Sequence, residues 1–365
     1  MSLFGILAQG CVVVTGSLAP NAPQDGGAVG HIDADTAALA TDSGEDGEID
    51  SDALARLADR MAATQNDDGS WDWQRAHTAD LTPSETGFQN ITGIAALGLR
   101  PTIDRLGANA GWQDAHDDAV AYFAGKFAAL QANPLDDANL LSSPSWTLIA
   151  RELERNPDPA LQAAAEGALD ALITNRDERF GTADETRMDG WVQHNIDRRA
   201  GNAGLIPWDL ALLTEALHDM AAISPGFADQ HAEACQALQS HLNSTFLPAW
   251  NANRSLFWGD LSISMPLYVL TDCPDVPEAL LATLDAELAL LVHADGSVTN
   301  GSTDDGPHQG TAYGLLALKR RESPLAQGVQ NHAQAQVGAD GMLADDGTGM
   351  ETFEIEGELL RAMAE

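Results

Sequence analysis

From residue 52 onward apolar positions recur at intervals of three and four, and no stretch alternates apolar and polar residues long enough to make a strand. Leu54, Leu57, Ala58 and Met61 mark one helical face, and Phe88, Ile91, Ile94, Ala95 and Gly98 mark another. Leu281, Leu284, Leu288 and Leu291 show the same i, i+3, i+4 spacing. The predicted helices fall into pairs: Asp52–Gln65 with Phe88–Leu99, Trp112–Gln131 with Pro144–Glu154, and Pro159–Asn175 with Pro207–Ile223. Phe227–Asn243 with Ser262–Leu270, Pro277–Val292 with Thr311–Arg320, and Pro324–Val337 with Glu351–Met363 complete the set. Pro144, Pro159, Pro207, Pro277 and Pro324 stand where a first helical turn begins. Proline is tolerated there because that N–H has no partner inside the helix.

Helical hairpins about fifty residues apart bury their apolar faces on one another, either as an open solenoid or as a closed ring. A solenoid needs polar end repeats, and the terminal pairs here are no more polar than the middle ones. The expected fold is therefore all-α, an (α/α)6 toroid of about six helical hairpins over residues 52–365.

Gln65-Asn66-Asp67-Asp68-Gly69-Ser70-Trp71, followed by the Glu85-Thr86-Gly87 entry to an apolar helix, resembles the repeat of terpenoid cyclases and protein prenyltransferases, the α/α-toroid superfamily. Ala294-Asp295-Gly296-Ser297-Val298 with Gln309-Gly310-Thr311, and Ala339-Asp340-Gly341-Met342-Leu343 with Glu351-Thr352-Phe353, repeat it. The resemblance lies at the level of fold, since its motif describes a turn and a helix start. It implies two chemistries to look for. Cyclases of this group protonate an alkene with a DxDD motif, where this chain has Ser302-Thr303-Asp304-Asp305 and lacks the first aspartate. Prenyltransferases hold zinc with Asp, Cys and His, of which Asp272-Cys273 and His308 are an echo without the family spacing.

Residues 3–19 are apolar and are followed by small residues, so 1–22 reads as a candidate signal peptide, although no Lys or Arg precedes the apolar run. Residues 23–51 are rich in Gly, Ala and acids, with few large apolar groups to offset the entropy of ordering, and read as a disordered acidic linker. The expectation is an exported protein, secreted or surface-associated, with no stable membrane span.

Charge narrows the setting further. The chain has 55 Asp and Glu against 18 Lys and Arg, a net charge of −37. Only Lys126 and Lys319 are lysines. Such self-repulsion is tolerable where salt screens it, and at about 1 M salt the Debye length is roughly 3 Å. The pattern is that of a salt-adapted surface, and a monomer is expected. Nucleic acid and anionic membranes are poor partners for it. Cys235 and Cys273 fall where two antiparallel helices bring them side by side, as a disulfide or as two buried thiols.

Candidate chemistry sits in the loops joining first to second helix, which emerge on one face of such a ring. Loops this long are usually functional or disordered. The first holds Trp71, Trp73, Arg75, His77 and Glu85; the third holds Trp191, His194, Asn195 and Arg198, with Trp208 at its exit; the fourth holds Trp250, Asn251, Asn253, Arg254, Trp258 and Asp260. Aromatic faces with amides and cations suit a saccharide chain. The expected substrate-binding residues are Trp71, Trp73, Trp191, Asn195, Trp208, Asn251, Asn253 and Trp258. His194, Arg198 and Arg254 offer the base and cations of a polysaccharide lyase, while Asp304, Asp305 and His308 offer paired acids. A hydrolase would instead use two carboxylates. No cofactor is expected; calcium at Asp295, Ser297 and Thr299, or zinc, are the metals the residue types would allow. The expected function is a carbohydrate-active lyase or hydrolase acting on a polysaccharide or another polar polymer. The alternatives are a terpenoid-cyclase-like enzyme using Asp304 and Asp305, and a non-catalytic binding or surface scaffold.

Overall fold

The first helix starts where the sequence offers a cap: the Asp50 carboxylate accepts the backbone N–H groups of Asp52 and Ala53 at 3.0 and 3.1 Å. A computed structural model describes residues 50–71, 89–133, 142–180, 206–256, 258–301, 306–344 and 353–365. All of them belong to the unit spanning 49–365. The candidate signal peptide and all but the end of the acidic linker lie outside the described residues.

The helices are α1 (Ser51–Ala63), α2 (Gln89–Leu97), α3 (Leu99–Leu106), α4 (Ala110–Ala132), α5 (Ser143–Arg155), α6 (Pro159–Phe180) and α7 (Ile206–Ile223). They continue with α8 (Ala228–His241), α9 (Leu247–Ala252), α10 (Leu261–Leu270), α11 (Glu278–Leu291), α12 (Gly306–Arg320), α13 (Ala326–Ala335) and α14 (Phe353–Ala364). Among the described residues extended pairing is limited to two isolated bridges, Val292 with Val298 and Val337 with Leu343. No helix there is long and apolar enough to cross a membrane.

The second helix of each pair is the more deeply buried; in α10 every residue from Leu261 to Leu270 is buried. The first helices bury one stripe, as α11 does with Leu280, Leu281, Leu284, Leu288 and Leu291. The second helices follow one another in contact: α2 packs on α5, α5 on α7, α7 on α10, α10 on α12, α12 on α14, and α14 returns to α2. That last contact is made by small residues. A Cβ on Gly357 would lie 2.5 Å from the Ala95 Cα, and one on Gly98 would lie 2.7 Å from the Arg361 nitrogen.

Two elements differ from expectation. A short helix, α3, follows α2, with Pro101 in its first turn. Helix α8 does not stop near Asn243 but runs through a π-helical turn, Leu242–Phe246, into α9. Pro248 lacks the N–H that would reach Ser244, and the widened turn accommodates that loss. Trp250 and Asn251 are consequently on a helix and not in a loop.

Each Asp-Gly turn has the same build. Asn66, His293 and Gly338 donate their N–H to Ser70, Ser297 and Met342 at 2.7–2.8 Å, and Gly69, Gly296 and Gly341 have φ of +85, +90 and +80°. The aspartate in each accepts the N–H two residues on, Asp68 from Ser70, Asp295 from Ser297 and Asp340 from Met342.

Candidate functional site

Four of the buried helices bring polar groups together in their N-terminal halves. The Glu358 Oε1 on α14 accepts the Tyr313 hydroxyl at 2.6 Å and the Gln309 side-chain amide at 3.2 Å, both from α12. The Trp208 ring on α7 meets Tyr313 edge-on, with centroids 6.2 Å apart. Its backbone N–H donates to the Ser262 hydroxyl of α10 at 3.2 Å. All five residues are buried, where a carboxylate is costly unless hydrogen bonds hold it.

Asp260 approaches the same end of α12 from the other neighbour. It caps α10 by accepting the Leu261 N–H at 3.0 Å. A Cβ on Gly310 would lie 2.7 Å from the Asp260 Oδ2 and 2.3 Å from the Val298 carbonyl oxygen. Gln309 thus hydrogen-bonds Glu358, and the next residue, Gly310, faces Asp260. Burial pushes the Asp260 carboxyl up to about 6, although hydrogen bonds from Leu261, Asn300 and Thr299 favour its charged form. A carboxyl near 6 retains a proton further toward neutrality than an ordinary aspartate does, which is the property a general acid needs.

One turn further along α14 the polar core becomes an ion network. Arg361 pairs with Glu215 of α7 and with Glu365 at 2.9 Å, and donates to the Tyr268 hydroxyl at 3.2 Å. Arg151 of α5 reaches Glu215 and Asp219 at 2.8 Å and Glu365 at 2.6 Å. Burial would raise the Glu365 carboxyl, but Arg361 and Arg151 outweigh it and hold that group at about 2. Asp219 behaves oppositely, since its burial outweighs Arg151 and raises its pKa. Lys319 and Arg105 donate to the final carbonyls of α14, Lys319 to Ala362 at 2.7 Å and Arg105 to Ala364 at 2.6 Å.

Of the residues singled out from the sequence, Trp73, Arg75, His77, Glu85, Trp191, His194, Asn195, Arg198, Asp304 and Asp305 lie outside the described residues. Among the others, the described tryptophans and His308 are buried, whereas Asn251, Asn253 and Arg254 are exposed. Trp71 is fully buried and its indole donates to the Met61 carbonyl at 2.9 Å. Trp208 and Trp258 are also buried, as are Trp112, Trp146 and Trp250, so none of these six offers an open face for stacking. Arg254 is held by Glu287 of α11, at 3.0 Å to Oε1, and lies over the Trp250 ring at 5.3 Å. Asn251 accepts from Arg254 at 3.3 Å, and Asn253 accepts the Ser255 N–H at 3.0 Å. His308 places Nε2 2.9 Å from the Ala344 carbonyl oxygen. Among these residues only Trp208 joins the Glu358 group. The Asp295 carboxylate accepts the Ser297 N–H and hydroxyl at 3.0 and 2.7 Å, which lowers its pKa. Cys273 forms a disulfide with Cys235.

Glu358, Tyr313, Gln309, Glu215 and Arg361 lie inside helices, away from the loops where the sequence points to chemistry. Their signal is a polar or charged residue inside an otherwise apolar helix, as in Leu212-Leu213-Thr214-Glu215-Ala216-Leu217.

The chain matches no protein-family model and no curated protein sequence.

Proposed function

We propose that residues 49–365 form an (α/α)6 toroid of paired helices and act as a salt-adapted, exported glycoside hydrolase on a saccharide chain. Asp260 serves as the general acid and Glu358 as the partner carboxylate. The observation that carries this reading is that two buried carboxylates flank consecutive residues of α12, Glu358 at Gln309 and Asp260 at Gly310. Burial raises Asp260, while two donors converge on one oxygen of Glu358. The closed circuit of buried helices and the three Asp-Gly turns support the toroid. The chain segments 181–205, 302–305 and 345–352 lead directly into α7, α12 and α14, the helices that carry Trp208, Gln309 and Glu358. His194, Arg198, Asp304 and Asp305 lie in two of those segments and are proposed to contact the substrate. The net charge of −37 supports a salt-rich setting.

The test is turnover of neutral and acidic oligosaccharides in molar salt, followed as release of reducing ends. Glu358→Gln and Asp260→Asn should each lower the rate by at least about a hundredfold with unchanged circular dichroism. Failure of the wild-type protein to bind or cleave any saccharide, or full activity in both variants, overturns the reading. An unsaturated sugar product would assign a lyase instead. The burial of all six described tryptophans favours a second reading, a non-catalytic scaffold, which predicts no turnover at all.

A further inference from the structure

The fourth helical pair carries a cluster that the proposed reaction does not use. His231 and Cys235 stand one turn apart on the same face of α8, and Cys273 follows the end of α10. The two cysteines are bonded, with Cα atoms 5.7 Å apart. The His231 Nε2 lies 3.3 Å from the Cys235 Sγ, and the ligand atoms of all three residues fall within 4.8 Å of one another. A structural disulfide has no need of an imidazole against its sulfur, whereas a thiophilic cation does. From α7 the His218 ring meets His231 edge-on, with centroids 5.1 Å apart. His218 in turn lines a pocket of about 150 Å³ together with Asp219, Asp272 and Arg320, which gives a small ion a route to His218.

We propose that this cluster is a redox-gated zinc site: once the Cys235–Cys273 bond is reduced, Zn²⁺ binds through both sulfurs and a ring nitrogen of His231, with His218 in the fourth position. Two sulfurs and two imidazoles in a tetrahedron are a set that zinc favours. The gate is chemical. A dithiol supplies two electrons and two protons, its own sulfurs join in a disulfide, and the Cys235–Cys273 bond becomes two thiols. Zinc then displaces both thiol protons to solvent and binds the thiolates, while His231 enters as neutral imidazole. In the oxidised protein the sulfurs are committed to each other and the site is closed to metal. The inference stands apart from the carbohydrate reading, since neither Asp260 nor Glu358 takes part in it.

Co²⁺ serves as the probe, added to the full chain in molar salt before and after reduction with a dithiol. The expected result is one equivalent bound only after reduction, with thiolate-to-cobalt charge-transfer absorption and tetrahedral visible bands, displaced by Zn²⁺. His231→Ala retains the disulfide and should melt as wild type when oxidised, yet bind cobalt at least about tenfold more weakly when reduced. His218→Ala should weaken binding while keeping the thiolate bands. Absence of a thiolate band in the reduced wild type overturns the proposal. So does equal binding by a Cys235→Ser/Cys273→Ser variant, or loss of helical circular dichroism on reduction that metal does not restore.

Discussion

Gly341 approaches Arg56 so closely that a Cβ on it would stand 2.3 Å from the Arg56 carbonyl oxygen, which ties the last Asp-Gly turn to the first helix. Gly69 stands in the same relation to Asp118 of α4, at 2.3 Å, and Gly296 to Gly328 of α13, at 2.5 Å. Each turn thus docks on the first helix of the following pair. The Gly341 contact closes the series, as the α14 contact with α2 does among the buried helices.

Gly341→Ala should therefore lower stability by about 2 kcal/mol or more, since it adds a backbone clash to the roughly 1–2 kcal/mol cost of positive φ in an L-residue. Gly107 is the control. Its φ is +96° and nothing lies within 4 Å of where its Cβ would stand, so Gly107→Ala should lose only the conformational part. Denaturant midpoints of the two variants in the same salt decide the matter. Equal losses would mean that the Arg56 contact is soft.

Arg361 compensates Glu215 and Glu365 in a core where its own side chain is 4% exposed and that of Glu215 is 5% exposed. Arg361→Met should destabilise by about 3–5 kcal/mol because it leaves buried carboxylates uncompensated. Adding Glu215→Gln should recover part of that loss in a double-mutant cycle. A strictly additive double variant would contradict the coupling.

The pH dependence near neutrality should carry the signature of Asp260. Its folded pKa of about 6 lies above the ordinary aspartate range, so the folded state holds the proton longer than the unfolded chain does. Stability from this group is present below about pH 4 and is lost as pH rises toward 6, amounting to about 3 kcal/mol. Glu365 acts in the opposite sense. Held at about 2, it contributes stability above the ordinary glutamate range and loses it as pH falls from there toward 2. Thermal melts of wild type and Asp260→Asn between pH 4 and 7 should differ in slope. Parallel curves would show that Asp260 does not titrate there.

Salt should stabilise the whole protein. With a net charge of −37, the melting temperature should climb steeply from dilute buffer to molar salt as repulsion is screened. The buried Arg361 pairs lie beyond the reach of that screening, so the effect of Arg361→Met should be nearly the same at both salt levels. A flat salt response of the wild type would remove the case for salt adaptation.

Helices and turns are legible in the chain because their causes are local. The spacing of leucines in α11, the prolines at the starts of α5, α6 and α7, and Asp-Gly pairs with positive φ act over a few residues. Such signals determined the all-α class and the helix order without any knowledge of partners. Only tertiary structure decided which polar residues meet. Glu358 finds Tyr313 45 residues away, and Arg361 finds Glu215 146 residues away. In Phe353-Glu354-Ile355-Glu356-Gly357-Glu358 nothing local marks a glutamate as buried. Glu356 and Glu358 are recognisable as core residues only when α14 is enclosed by α12, α2 and α1. The same holds for the tryptophans, whose side chains suit a sugar platform or a hairpin plug equally well. The packing of each described indole against its neighbours made the choice, because a ring already buried has no face left to offer.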